Sequence, residues 1–127
     1  LTRANLTGAD LNNANLFDAD LLKAKLPGAN LTGANLRKAF LRRADLTGAN
    51  LSGAHLYGAD LMLANLTRAN LTGADLNNAN LRDANLRDAN LIGANFTGAS
   101  LRNAKLLGAK FCKTKMPWGE VNDDCEE

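Results

Sequence analysis

The chain has 127 residues, which is the size of one domain. Its formal net charge of +2 is too small to indicate a nucleic-acid or membrane-surface partner. No run of about 18 apolar residues occurs, so we expect no membrane insertion. The chain opens on leucine in the middle of a repeat. We therefore expect a processed form, a fragment or the ordered part of a longer protein.

A five-residue repeat runs from Leu1 to Phe111. An apolar residue holds the first position of 23 consecutive units, and alanine holds the fourth position from Ala4 to Ala109. A helix cannot bury this pattern, because five residues at about 100° each move successive leucines about 140° around the axis. A flat strand cannot bury it either, because its period of two sends alternate leucines to opposite faces.

A four-sided coil satisfies the repeat. Each unit forms one side, leucine and alanine point inward, and four units close a turn of 20 residues that pairs with the turns beside it. Alanine suits the narrow interior, where a larger residue would overpack. We predict an all-β, parallel β-helix solenoid over residues 1–115, followed by a C-terminal cap and tail over residues 116–127.

The tandem pattern A-[N/D]-L-x-x resembles the pentapeptide-repeat family. This resemblance covers residues 1–115 and implies a right-handed quadrilateral β-helix. The closing segment FCKTKMPWGEVNDDC is similar to the ends of cyanobacterial and thylakoid-lumen members, which carry a Cys, then T-x-M-P-x-G, then a second Cys.

Counting in twenties assigns the outward residues to four faces of the coil. The first face carries residues 2 and 3 of each twenty, the second 7 and 8, the third 12 and 13, and the fourth 17 and 18. The first face collects six basic side chains, and the fourth stacks Arg37 between two aromatic residues. These are either solvated surface or a docking surface for an acidic partner. Departures from the consensus give the candidate partner surface: Phe17, Arg37, Phe40, Arg42, Arg43, Tyr57, Met62 and Leu63.

Other outward positions have structural interpretations. Glycine recurs at the third position of the unit, where we expect a corner backbone with positive φ. The Asn and Asp residues before the leucines stack one per coil, and we expect them to bond to one another and to the backbone, as in an amide ladder. His55 is expected to be a solvated side chain without a second ligand at metal-binding spacing, so we predict no metal and no cofactor.

The regularity ends after Phe111. We predict that Met116, Pro117 and Trp118 form the cap, because proline lacks a backbone donor and suits a last rung. Trp118 is large enough to cover the open core. The acidic tail 121–127 suggests a helical turn.

Cys112 and Cys125 are the only cysteines. They form either a disulfide that ties the cap to the coil, worth about 3 kcal/mol, or a reduced pair in a cytosolic protein. Oxidation would favour a periplasmic or thylakoid-lumen location, and reduction a cytoplasmic one.

The sequence shows no catalytic constellation, since it has one histidine and two serines without an evident base. We predict a non-enzymatic scaffold or protein-binding module with an unknown protein partner, as a monomer or an end-to-end dimer. The resemblance implies one alternative, a DNA mimic that modulates DNA gyrase. Such mimics are acidic, whereas this chain has fifteen basic and thirteen acidic residues.

Overall fold

The computed structural model describes residues 1–126, and one five-residue turn recurs throughout the repeat. In each unit the alanine N–H donates to the leucine carbonyl three residues earlier, as Ala54 does to Leu51 at 3.0 Å. The third residue has a positive φ in every unit, as a type II turn requires. Glycine holds many of these positions, as predicted, and Asn, Asp, Arg, Lys or Leu holds the others.

Successive coils stack in register with a period of 20 residues. Parallel bridges join residues 20 apart, from Asn5 and Lys25 to Asn95 and Lys115. The inter-coil bonds are short, for example Leu26 N–H to the Asp45 carbonyl at 2.7 Å. The predicted four-unit coil is therefore confirmed. Its sides pair through isolated bridges rather than long strands, because a turn follows each bridged residue.

Leucine and alanine fill the interior, as predicted. From Leu21 to Phe96 the inward side chains are no more than 1% exposed. Their outward neighbours are mostly half-buried or exposed. The core is thus a continuous apolar column along the coil axis, and it positions every outward side chain by register.

The Asn and Asp residues before the leucines stabilise the corners. From Asn5 to Asn95 each accepts the backbone N–H two residues on, at 3.0–3.2 Å. A threonine at that position also donates its hydroxyl, as Thr72 does to Asn70 at 2.5 Å. The expected bonding of these stacked side chains to the backbone is confirmed, whereas bonding between them is sparse. Only isolated contacts between coils occur in the described residues, such as Asn30 to Asp10 at 3.3 Å, because the local N–H lies closer.

A short antiparallel hairpin follows the coils. Strand β1 is Thr114–Met116 and strand β2 is Gly119–Val121. Thr114 replaces the inward alanine and donates its hydroxyl to the Leu91 carbonyl at 2.7 Å. Met116 is buried at the end of the core. Trp118 lies in the tight turn and is 65% exposed, so the prediction that it covers the core is wrong: in the turn, most of its surface meets solvent.

The tail returns to the last coil. Cys112 and Cys125 form a disulfide, with their Cα atoms 4.9 Å apart. The Phe111 N–H donates to the Asp124 carboxylate at 2.9 Å, and the Asp124 N–H donates to the Phe111 carbonyl at 2.7 Å. Residues 119–121 are a strand, and the expected turn of the tail is a single one over residues 122–125, where the Cys125 N–H donates to the Asn122 carbonyl at 3.5 Å. Across residues 1–126 no helix has the length and apolar character of a membrane span.

Candidate functional site

The structure brings the predicted surface residues together on two adjoining faces. Bridges pair Asp20 with Phe40 and Phe40 with Asp60, so these residues form a column where the fourth face meets the first. Residues of both faces flank this column within three successive coils. We call this region the corner surface and define it by eight residues: Phe17, Arg37, Phe40, Arg42, Arg43, Tyr57, Met62 and Leu63.

The corner surface exposes large apolar side chains that the core does not use. Phe40 is 48% exposed, and Phe17, Tyr57 and Leu63 are exposed to a similar degree. Met62 is half-buried beside them. Phe40 stands where the other repeat units usually place Asn or Asp, and that exchange is the signal in the sequence that marks it.

A shallow depression of about 430 Å³ lies beside Phe40. Asp20, Leu22, Phe40, Arg42 and Asp60 line it. Its lining combines the apolar Leu22 and Phe40 with three charged side chains, and its open shape suits a protruding side chain of a partner better than an enclosed small molecule.

Two of the residues that line this depression form an ion pair. Arg42 Nη2 lies 3.0 Å from Asp60 Oδ2, and Arg42 Nε donates to the same oxygen at 3.3 Å. The other oxygen, Asp60 Oδ1, accepts the Met62 N–H at 3.1 Å and Asn80 Nδ2 at 3.4 Å. Partly exposed pairs of this kind contribute little stability. The pair's main effect is to orient the Arg42 guanidinium along the depression.

Tyr57 is held on the fourth face by a neighbouring coil. Its hydroxyl accepts a hydrogen bond from Asn78 Nδ2 at 3.2 Å. His55, two residues earlier, is exposed as predicted. No cluster of three or more His, Cys, Asp or Glu side chains within residues 1–126 could hold a metal ion. The corner surface can therefore bind a partner through apolar contacts, through hydrogen bonds and through its basic side chains, which attract acidic groups.

Comparisons with known proteins agree with the repeat. A family model for pentapeptide repeats matches in eight copies, over residues 1–33, 24–61, 44–83, 64–103 and 79–116. Among proteins with curated descriptions, none matches the chain.

Solved structures with the same repeat are similar to this chain. A pentapeptide repeat protein from the Arabidopsis thaliana thylakoid lumen is 37% identical with a TM-score of 0.70, over 71% of this chain and 63% of that one. HetL, a pentapeptide repeat protein involved in heterocyst differentiation regulation in the cyanobacterium Nostoc, is 38% identical with a TM-score of 0.60, over 95% of this chain and 65% of that one. The chain thus spans less than two thirds of either protein.

A third similar structure is QnrB1, a plasmid-mediated fluoroquinolone resistance protein. It is 23% identical with a TM-score of 0.47, over 87% of this chain and 69% of that one. A likeness of this size carries no functional argument.

Proposed function

This chain belongs to the pentapeptide-repeat family, and we propose that it is a non-enzymatic module that binds another protein through its corner surface. We infer that its coil is the right-handed quadrilateral β-helix, since crossovers between parallel strands are right-handed in nearly all proteins. The rigid coil presents the binding residues, and a partner supplies any chemistry.

The observation that carries this proposal is the concentration of exposed apolar residues. Phe17, Phe40, Tyr57 and Leu63 are four of the seven large apolar side chains that the described residues expose, and they all belong to the corner surface. Aromatic and arginine side chains are enriched among the residues that dominate binding energy in protein interfaces. The corner surface combines both types on one rigid edge.

The corner surface gives less support to the alternative function, a DNA mimic that modulates DNA gyrase. A DNA mimic needs a column of carboxylates at phosphate-like intervals. Here Phe40 separates Asp20 from Asp60 within their column, and Asp60 is paired with Arg42. The basic residues of the first face would repel a site built to bind DNA phosphates.

Affinity capture from the natural source tests the proposal with two matched variants. The corner variant changes two arginines and two apolar residues to Ser or Thr: Arg42, Arg43, Met62 and Leu63. The control variant makes the same kind of change on the second and third faces: Arg68, Arg87, Ile92 and Leu107. We expect the wild type and the control variant to capture a partner protein that the corner variant does not capture. Equal recovery of that protein with the corner variant would contradict the proposal.

A further inference from the structure

Between residues 21 and 100, two backbone donors break the hydrogen-bonding rule of the coil; further along, the N–H groups of Arg102 and Leu107, which follow Ser100 and Lys105, lack the same acceptor. Between residues 21 and 100, the residue after each leucine normally donates its N–H to the Asn or Asp two positions before it. The N–H groups of Arg42 and Tyr57 have no partner among residues 1–126. Phe40 and His55 stand at the positions that would supply the acceptor. The other break, at Lys25, precedes Pro27, which has no N–H.

The two unpartnered donors between residues 21 and 100 belong to the corner surface, whereas those of Arg102 and Leu107 do not. Arg42 lies on the first face and Tyr57 on the fourth, and these faces meet at the column that contains Phe40 and Asp60. At the other corners between residues 28 and 97 the equivalent N–H is bonded by an outward Asn or Asp side chain. The N–H groups of Arg42 and Tyr57 therefore point toward the outer surface, where an acceptor from another molecule can reach them.

The charge around these donors is positive. Residues 21–40 contain Lys23, Lys25, Arg37 and Lys38 and no acidic residue. Arg42 and Arg43 follow directly. Asp18, Asp20 and Asp60 are the carboxylates on these faces or their shared edge in the same coils, and Asp60 is paired with Arg42. An approaching acidic group therefore meets more basic than acidic side chains.

We propose that the corner surface binds an extended acidic peptide segment of the partner protein. Oxygen atoms of that segment accept hydrogen bonds from the N–H groups of Arg42 and Tyr57. Asn and Asp side chains of the protein accept the equivalent bonds at other corners. An apolar side chain of the segment packs on Phe40 in the depression, and its carboxylates face Arg37 and Arg43. This inference rests on the proposed function and names the chemistry of the partner.

The test is an unbiased selection followed by affinity measurement. A display library of random short peptides is selected on the wild-type protein, and the most enriched peptide is labelled for fluorescence anisotropy. We expect enriched peptides in which Asp or Glu flanks an apolar residue. Replacing their acidic residues by the corresponding amides should weaken binding at least about tenfold, and added salt should weaken it further.

A variant of the protein tests the free donor directly. Phe40→Asn supplies the missing acceptor for the Arg42 N–H and removes the aromatic ring, so affinity for the selected peptide should fall about tenfold or more. Ser100→Asn introduces the same side chain in the same column but away from the corner surface. It should leave the affinity for the selected peptide unchanged. Circular dichroism and thermal unfolding confirm that both variants are folded.

Several results would overturn this inference. They are selected peptides without acidic residues, full affinity of Phe40→Asn, the absence of any enriched peptide, or binding of a single-stranded oligonucleotide in place of peptides. If any of these occurs while partner capture still depends on the corner surface, the acidic-peptide inference fails and the proposed function stands. If capture is also independent of the corner surface, both fail.

Discussion

A reciprocal exchange in one column tests the corner hydrogen bond that recurs through the coil. Asn35 and His55 are bridged neighbours in successive coils. Asn35 Oδ1 accepts the Arg37 N–H at 3.2 Å, whereas His55 leaves the Tyr57 N–H without a partner in the described residues. His55→Asn should therefore add one hydrogen bond. Asn35→His should remove the bond from the Arg37 N–H and also the longer one from Asn35 Nδ2 to Asn15 Oδ1 at 3.4 Å.

The magnitude follows from the value of one neutral hydrogen bond at a partly exposed site. Such a bond contributes about 1 kcal/mol net, and the exposed His55 side chain gives up little packing when it is replaced. We expect His55→Asn to raise the free energy of unfolding by about 1 kcal/mol and the melting temperature by about 4 °C. Asn35→His should lower both by similar amounts.

Urea unfolding followed by far-ultraviolet circular dichroism measures the two free energies, and calorimetry measures the two melting temperatures. Shifts of the same sign, or no shift in either variant, would refute the role given to the corner hydrogen bond. His55→Asn should also weaken binding of the acidic peptide, because the Tyr57 donor is then occupied within the protein. A more stable variant that binds less well would indicate that the missing acceptor serves binding.

Three further predictions concern the core, the turns and the tail. Leu56→Ala should cost about 3 kcal/mol in urea unfolding, because Leu56 is fully buried; a cost below about 1 kcal/mol would contradict a close-packed core. Gly53→Ala should cost about 1 kcal/mol, because φ is +63° and the added methyl meets open space. Gly33→Ala should cost about the same, since the added methyl displaces only the end of the exposed Asn13 side chain; a much larger cost would contradict this expectation. Cys112→Ser should lower the stability of the hairpin by about 3 kcal/mol, measured by hydrogen exchange of residues 114–121, and a reducing agent should have the same effect on the wild type but none on the variant.

The repeat period predicts the interior well, because a spacing of five admits few backbones. Leu56 and Ala54 are buried where the four-sided coil places them. The period predicts the direction of each side chain but not its hydrogen-bond partner. For Asn70 the period allows bonding to a stacked neighbour or to the backbone, and the structure shows its oxygen accepting the N–H and hydroxyl of Thr72.

Prediction is weakest where the repeat ends. The size of Trp118 predicts that it covers the core, yet it lies in the hairpin turn and is largely exposed. Thr114 and Met116 end the core instead. Size does not determine orientation without a periodic backbone to fix it.

The sequence predicts which residues form the corner surface but not how their side chains interact. Phe40 and Tyr57 depart from the consensus, and register alone places them on adjoining faces. The ion pair between Arg42 and Asp60 depends on side-chain conformation, which the repeat does not specify. The unpartnered N–H groups of Arg42 and Tyr57 depend on hydrogen bonds that the repeat period does not specify.

The most direct test of the docking surface is site-specific crosslinking in an extract of the organism that makes the protein. The photoreactive residue p-benzoylphenylalanine replaces Phe40 at the corner surface in one protein and Ile92 on the third face in another. We predict that position 40 crosslinks to one defined protein and that excess acidic peptide suppresses this product, while position 92 gives none. Equal crosslinking from both positions, or a product from position 92 alone, would contradict the assignment of the corner surface as the binding site.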